Sequence, residues 1–221
     1  MDWNAWHDRY DMADSRLARR LRTVQEQIRR VLDDAPPGPL KVISLCAGDG
    51  RDLLGVLADH PRRDDVRARL VELDPRNTAA ASETARRAHL DQVVEVVTGD
   101  ASLIDQYGDL TPADLVLVCG VFGNLTDADI EHTISACGQL CGTGGTVIWT
   151  RHRDAPDRVP LICEWFEGQE FERRWLSDPA TSQGVGVHRF TGAPRPLRTG
   201  TRMFEFVGYD VLRRNGTAPS P

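Results

Sequence analysis

The turn Gly48-Asp49-Gly50 is the segment of this sequence whose composition most directly predicts ligand binding. It follows a short apolar run rich in β-branched residues, Val42 to Leu45, and precedes a Leu53-Leu54 pair that can begin a helix. Glycine permits positive φ angles and close approach of a ligand to the backbone. The first turn of a helix adds unpaired N–H groups and a partial positive charge. A strand, a glycine turn and a helix in this order predict a cofactor site.

Two classes of cofactor use such a turn, the nicotinamide dinucleotides and S-adenosylmethionine (SAM). A dinucleotide site needs a third glycine, which lets the helix pack closely on the strand beside the pyrophosphate. Here Gly50 is followed by Arg51, Asp52 and Leu53, so the third glycine is absent. Asp49, inside the turn, would also repel a pyrophosphate. SAM has no phosphate, and its ammonium and sulfonium groups are cationic, so the sequence favours SAM.

An acidic residue in Arg69-Leu70-Val71-Glu72-Leu73-Asp74-Pro75 is the expected ligand of the ribose. Glu72 lies 22 residues after Gly50, a spacing that suits a carboxylate accepting hydrogen bonds from ribose hydroxyls. Asp74 competes for this role, but Pro75 directly after it makes Asp74 a better helix cap. We therefore expect Glu72 to bind the ribose and Asp74 to begin a helix.

The elements that must position these residues alternate between strand and helix. Strands are expected at about 40–46, 67–73, 93–98, 114–119 and 146–150, and helices at about 50–59 and 75–89. A further helix begins after Thr126, whose pairing with Asp129 resembles a capping box, and ends near Gly138. Such alternation predicts a parallel sheet with helices on both faces. Its ligand should lie beyond the carboxyl ends of the strands.

The two ends of the chain have different patterns. Before the sheet, residues 1–39 form a helical extension whose apolar positions recur at helical spacing from Leu17 to Val31. After it, a helix at about 157–168 precedes the β-like runs 171–176, 185–190 and 203–207, which must pair antiparallel because no helix separates them. We therefore expect a domain over residues 40–212 and a loose tail over residues 213–221.

The stretch from Val42 to Leu54 resembles the first motif of the class I (seven-stranded, Rossmann-like) SAM-dependent methyltransferases. Gly48 and Gly50 match the last two glycines of that motif, whereas Ser44 replaces its usual acid and Cys46 its first glycine. Three later segments resemble the family's next motifs, namely the Glu72 segment, Gly99-Asp100-Ala101 and the strand that ends at Cys119-Gly120. Together the four motifs place the resemblance over about residues 40–192.

The resemblance implies an α/β fold with a doubly wound, mostly parallel seven-stranded sheet and antiparallel C-terminal strands. It implies that Asp100 accepts a hydrogen bond from the adenine amino group and that the backbone of Cys119 and Gly120 holds the SAM amino group. The expected cofactor-binding residues are Tyr10, Ser44, Cys46, Ala47, Gly48, Gly50, Glu72, Leu73, Asp100, Ala101, Cys119 and Gly120.

Catalytic residues are less evident, because Gly123-Asn124-Leu125 stands where the tetrapeptide typical of amine methylation on bases and glutamine would follow the fourth strand. Position suggests Asn124 as one candidate. His152, just beyond the fifth strand, is a candidate general base, and an exposed loop histidine is the equally plausible alternative. Trp6 and His7 could cover the substrate, or they could simply hold the N-terminal segment against the core.

These observations favour a small-molecule methyltransferase over two alternatives. A nucleic-acid methyltransferase is disfavoured by the net charge of −6, and a non-catalytic SAM sensor or scaffold is suggested only by Ser44 and Cys46. The cysteine and histidine spacings do not predict a metal site. No membrane association is expected, and the absence of a signal-like N-terminus makes the cytoplasm the expected location. The oligomeric state is not predicted.

Overall fold

The computed structural model describes residues 15–207. Within that range seven strands form one sheet, with the order β3-β2-β1-β4-β5-β7-β6. The strands β1 to β5 pair parallel, whereas β7 is antiparallel to both β5 and β6. This topology confirms the predicted fold class. The strands are β1 (Leu40–Leu45), β2 (Val66–Glu72), β3 (Val94–Thr98), β4 (Ala113–Val118), β5 (Cys141–His152), β6 (Phe171–Leu176) and β7 (Gln183–Phe190).

Helices cover both faces of the sheet and give the domain two apolar layers. The described helices are α1 (Arg16–Asp34), α2 (Arg51–Leu57), α3 (Pro75–Arg87), α4 (Asp127–Leu140) and α5 (Val159–Gly168). The first three share one core cluster with the sheet, and α4, α5 and the 3₁₀ segment Ile104–Leu110 share the other. No helix in the described range is long and apolar enough to cross a membrane.

The predicted helix starts are confirmed by their caps. The Asp74 carboxylate accepts a hydrogen bond from the backbone N–H of Arg76, and Pro75 occupies the first turn of α3. At α4, the backbone N–H of Asp129 donates to Thr126 Oγ1 at 3.1 Å, and the Thr126 hydroxyl donates back to the Asp129 carboxylate at 2.7 Å. These pairings fix the points at which the chain leaves the carboxyl edge of the sheet.

The structure corrects several predicted element boundaries. β5 extends from Cys141 to His152, because α4 runs to Leu140 and leads directly into the strand. The predicted strand 203–207 is wrong, since these residues form no strand and only the preceding Arg202 makes an isolated bridge, with Leu103. Its backbone instead bonds to loops at the carboxyl edge: Met203 N to Ser102 O (2.7 Å) and Val207 N to Asn124 O (3.0 Å).

Two predicted parts of the domain organisation fall partly or wholly beyond the described residues. Residues 1–14 of the extension and the tail 213–221 lie outside them, so the predicted domain boundaries stay predictions. The described part of the extension is α1, which packs its apolar face against α2 and the sheet.

One arginine, Arg62, joins α1 to the domain. The carbonyl groups at the end of a helix have no intrahelical partner. Those of the proline-rich segment after α1 also lie outside any helix or strand that could supply a backbone donor. The Arg62 guanidinium satisfies four of these oxygens and also pairs with Asp65. Its carbonyl partners, at 2.7–3.1 Å, are those of Leu32, Ala35, Pro36 and Gly38.

We expect Arg62→Ala to lower the free energy of unfolding by about 2–3 kcal/mol, because several carbonyl groups lose a charged donor at once. Urea denaturation followed by circular dichroism measures this difference. Arg67→Ala is the matched control, because Arg67 forms an ion pair with Asp109 in which both side chains are largely solvent-exposed. The control should change the free energy of unfolding by less than about 0.5 kcal/mol. Similar losses in both variants would contradict the role assigned to Arg62.

A fully buried histidine lies among the aromatic residues of the core. His188 stacks on Phe166 with ring centroids 4.5 Å apart, and the Trp149 indole N–H donates to its Nδ1 at 3.0 Å. This bond requires a neutral ring with its proton on Nε2. Burial, reinforced by the charge of Arg173, lowers the pKa of His188 to about 3.

This pKa predicts acid destabilisation with a defined sign. Between about pH 6.5 and pH 3 the unfolded chain binds a proton at His188 that the folded chain does not, so acid favours unfolding. The loss is at most about 1.4 kcal/mol per pH unit over that window. We expect His188→Gln, which keeps an acceptor for Trp149, to flatten this dependence in urea titrations between pH 4 and 7. His132→Gln, at an exposed position of α4, should retain the wild-type slope; a wild-type slope in the His188 variant would contradict the prediction.

Candidate functional site

A cavity of about 830 Å³ opens at the carboxyl ends of the first four strands. The chain passes from β1 to β2 and β3 on one side and to β4 and β5 on the other, so the cavity lies where the strand order reverses. Six parts of the chain form its walls: the turn after β1, the three segments after β2, β3 and β4, the helix α1, and the segment 202–206.

The turn after β1 keeps an unusual backbone conformation. Gly48 and Gly50 have φ angles of 57° and 73°, and Cys46 has 48°, a left-handed value that a residue other than glycine rarely adopts. A side chain at Gly50 would also meet Leu70 Cδ2 at 2.7 Å. Gly50 is therefore required for packing of α2 and does not itself line the cavity.

Cys46 lines the cavity as a neutral thiol. Burial raises its pKa far above the ordinary value, and the charges of Glu72 and Asp100 raise it further. The side chain therefore replaces a glycine without adding charge or nucleophilicity to the site.

Glu72 connects the turn to the end of β2. Its Oε2 accepts a hydrogen bond from the backbone N–H of Gly48, and its Oε1 accepts one from the N–H of Asp74, each at 2.9 Å. Each carboxylate oxygen can accept a further bond, so these contacts orient the group without saturating it. Glu72 and Asp74 both line the cavity, and Asp74 is committed to the cap of α3.

At the end of β3, Asp100 is held by two neighbours. Its Oδ1 accepts from the Ser102 backbone N–H and hydroxyl, and its Oδ2 accepts from Arg202 at 2.8 Å. Against the opposing effect of burial, these hydrogen bonds hold the pKa of Asp100 below its ordinary value. The carboxylate is therefore ionised at neutral pH and faces the cavity as an acceptor.

Two large apolar side chains are exposed in the described part of the chain, and both line this cavity. They are Leu73, 69% exposed after β2, and Phe206, 48% exposed on the segment that crosses the loops. Exposed apolar surface inside a cavity is typical of a ligand site. Leu73 and Phe206 give the cavity apolar surface, and Asp100 gives it a hydrogen-bond acceptor.

The end of β4 contributes an open stretch of backbone. Gly120 has a φ of 79°, and no atom lies within 4 Å of the position that a side chain would occupy there. Its N–H donates to Thr150 Oγ1 at 2.8 Å, and its carbonyl accepts from Asn124 Nδ2 at 3.1 Å. Asn124 thus lines the cavity while bracing the loop after β4.

Most of the predicted cofactor residues that the structure describes lie together in this cavity, and Asn124 joins them. They are Cys46, Ala47, Gly48, Glu72, Leu73, Asp100, Ala101, Cys119 and Gly120. Tyr10, Trp6 and His7 lie outside the described residues.

Three other predicted residues do not line the cavity, namely Gly50, Ser44 and His152. Ser44 is 1% exposed within β1, between its partners Leu70 and Leu117, and does not line the cavity. His152 also lies outside the cavity lining, because β5 continues to this residue and pairs it with Gln183 of β7. Burial, and then the neighbouring Arg151 charge, lowers the pKa of His152.

Several cavity residues were not anticipated from the sequence. Arg20, Leu21 and Val24 come from α1, where helical periodicity predicts a helix but not what it covers. Asp52 lies two residues after the glycine turn, and its position in the first turn of the predicted helix was the available sequence signal. Burial, with help from Asp49, raises the pKa of Asp52 to about 6, while Arg20 lowers it.

Comparison with known proteins gives this cavity a family context. The family model described as "Putative methyltransferase" matches residues 15–166, more than half of the chain. No curated protein matches the sequence significantly.

Three solved structures illustrate the likeness in fold. An O-methyltransferase family protein from Burkholderia thailandensis has a TM-score of 0.63 and 16% identity, with 79% of this chain and 56% of that one covered. Magnesium protoporphyrin IX methyltransferase from Synechocystis PCC 6803, solved with bound SAM, has a TM-score of 0.61 and 13% identity, with coverages of 78% and 80%. An RNA methyltransferase from Salinibacter ruber, solved with S-adenosyl-L-homocysteine, has a TM-score of 0.51 and 17% identity, with coverages of 80% and 96%.

The first of these proteins is much longer, and this chain spans only 56% of it. At such low identities the structural comparisons carry the fold alone. The family model, the strand order and the motif residues gathered at the switch point nevertheless agree. This chain belongs to the methyltransferase family, with the fold of the class I SAM-dependent enzymes.

Proposed function

We propose that this chain transfers a methyl group from SAM to a small-molecule acceptor bound in the same cavity. The observation that carries the proposal is the single cavity of about 830 Å³ that holds nine of the predicted cofactor residues. Its volume lies toward the upper end of the usual range for small-ligand sites, roughly 300–1,000 Å³. α1 and the segment 202–206 also line the cavity, so its surface extends beyond the nine predicted cofactor residues.

The residues present fit the chemistry of SAM. Glu72 is an oriented acceptor suited to ribose hydroxyls, and Asp100 with Leu73 suits an adenine ring and its amino group. The open backbone at Cys119 and Gly120 leaves space for the methionine part. The acidic side chains around the turn would oppose a pyrophosphate, so this donor set suits a cofactor without phosphate.

Bound SAM supplies a methyl group already activated by its sulfonium leaving group. The chain must then orient the acceptor and exclude water, and orientation alone contributes roughly 7–11 kcal/mol in favourable cases. Asn124 is the polar group best placed to orient an acceptor, because it lines the cavity and its amide is held by Gly120. A general-base role for His152 stays a prediction, and it would have to act from outside the cavity lining.

The charge of the cavity favours a small acceptor over nucleic acid. The lining contains six carboxylates and four guanidinium groups, an excess of negative charge that disfavours a polyanion. The carboxylates are Asp49, Asp52, Glu72, Asp74, Asp100 and Glu205, and the guanidinium groups are Arg20, Arg51, Arg76 and Arg202.

Ligand-induced thermal stabilisation tests the cofactor directly. We expect SAM and S-adenosylhomocysteine to raise the melting temperature and NAD to leave it unchanged, because binding to the folded state stabilises it by mass action. Incubation with SAM and a fractionated metabolite extract should then yield a product heavier by one methyl group. Stabilisation by NAD alone would reject the methyltransferase proposal. Binding of SAM with transfer to RNA, or with no transfer to either pool, would support the nucleic-acid or the sensor alternative.

Glu72 provides a sharper test of the cofactor site. We expect Glu72→Gln to weaken SAM binding about 10- to 100-fold in calorimetry, because a charged acceptor for a ribose hydroxyl becomes neutral. Glutamine still accepts one of the two backbone hydrogen bonds, which limits the damage to the turn. Asp74→Ser is the matched control, since it removes the competing carboxylate but keeps a helix cap. The reverse pattern, with loss only in the Asp74 variant, would assign the ribose to Asp74.

A further inference from the structure

The resemblance to the first motif implies an acid at position 44 that faces the amino group of SAM, and this chain lacks it. Ser44 occupies the position of the usual acid, is buried within β1 and does not line the cavity. The α-amino group of SAM nevertheless carries a full positive charge at neutral pH. A carboxylate elsewhere on the cavity wall would have to balance it.

Asp52 is a carboxylate on that wall. It lies in the first turn of α2, two residues after the glycine turn, and lines the cavity together with Gly48 and Cys119. The structure gives its carboxylate one hydrogen bond, from the adjacent Leu53 backbone N–H at 2.8 Å to Oδ1. An ionised carboxylate can accept several bonds, so Asp52 retains capacity for a ligand donor.

Asp52 and Cys119 line the same cavity, and the charge of Asp52 acts on the Cys119 thiol. Burial chiefly raises the pKa of the Cys119 thiol, and the charge of Asp52 raises it further while that of Arg20 lowers it. Asp52, Arg20 and Cys119 all line the cavity. The backbone of Cys119 is the expected neighbour of the SAM amino group.

The other carboxylates near the glycine turn are already bound to a charged side chain or to two backbone N–H groups. Asp49 accepts a short hydrogen bond from the Arg51 guanidinium. Glu72 is held by two backbone N–H groups, and Asp74 caps α3 and pairs with Arg76. For Asp52 the described structure gives a backbone hydrogen bond, from Leu53, and no side-chain hydrogen bond.

Building on the proposed function, we propose that Asp52 is the counterion of the cofactor's α-ammonium group, in place of the acid missing at Ser44. It is a cofactor-binding residue on the helix after the turn, not on the strand before it. Arg20 of α1 lies near enough to act on Asp52 and brings a positive charge to the same end of the cavity. The two charges suit the zwitterionic amino-acid part of SAM.

The raised pKa of Asp52 is consistent with this role. Burial and the charge of Asp49 make the ionised carboxylate unfavourable in the free protein, and Arg20 only partly offsets them. A bound ammonium group would relieve that unfavourable state. Ligand binding near pH 6 should therefore release a proton from Asp52.

Calorimetry with two ligands separates this role from general damage to the site. S-adenosylhomocysteine carries the amino-acid group, whereas 5′-methylthioadenosine has the same nucleoside without it. We expect Asp52→Asn to weaken S-adenosylhomocysteine about 10- to 100-fold and methylthioadenosine by less than about threefold. Asparagine preserves the size of the side chain and the acceptor for the Leu53 N–H, so the apo melting temperature should not fall. Asp59→Asn is the matched control, because this exposed acid just beyond the end of α2 lies outside the cavity lining. It should affect both ligands by less than about threefold.

The pH dependence gives a second readout. The charged groups around Asp52 are Asp49 and Arg51 on the turn and Arg20 on α1, with the neutral Cys119 thiol after β4. Below about pH 6, wild-type affinity for S-adenosylhomocysteine should fall by up to about tenfold per pH unit as Asp52 takes up a proton. The Asp52→Asn variant should show no such fall, and methylthioadenosine should show none in either protein.

The outcomes distinguish the two proposals. If the wild type binds neither nucleoside, the proposed function itself fails. If the wild type binds both and Asp52→Asn binds S-adenosylhomocysteine equally well, the function stands and the assignment to Asp52 is overturned. Equal losses of both ligands in Asp52→Asn would also overturn it, because the residue would then act through the structure of the site.

Discussion

The hydrogen bonds of the Glu72 carboxylate are the interaction on which the candidate site most depends. They connect the glycine turn after β1 to the start of α3 after β2, two segments that the parallel pairing of β1 and β2 brings to one edge. Further hydrogen bonds of the turn run from Gly50 N to Ala47 O, from Ala47 N to Val71 O, and from Gln25 Nε2 to Arg51 O. The Glu72 carboxylate therefore both holds the glycine turn in place and lines the cavity.

The remaining walls come from segments distant in sequence. Segment 201–207 bonds to the loop after β3 through Ser102 and to the loop after β4 through Asn124, so it spans the cavity edge. On the opposite layer, α1 is fixed by its apolar face and by Arg62. The cavity is therefore completed by elements outside the βα repeat.

Sequence reasoning succeeded where the signal is local. The strand at 171–176, the cap at Thr126 and the helix start at Pro75 follow from short patterns whose physical causes act within a few residues. It failed where tertiary contacts decide. Residues 203–207 alternate like a strand, yet loop carbonyls and amides take their hydrogen bonds, and β5 extends far enough to carry His152 past the cavity. The helical spacing of apolar residues predicts α1, but it could not show that α1 lines the cavity.

The two departures from the family's first motif have different physical consequences. Cys46 replaces a glycine of the motif, but the backbone at this position still has the left-handed conformation that glycine usually adopts. Its cost is steric and is absorbed locally. Ser44 changes the charge of the site, and a missing charge cannot be absorbed by a small shift of the backbone. A carboxylate elsewhere on the cavity wall is needed for a cationic ligand, and the first turn of α2 is where this chain carries one.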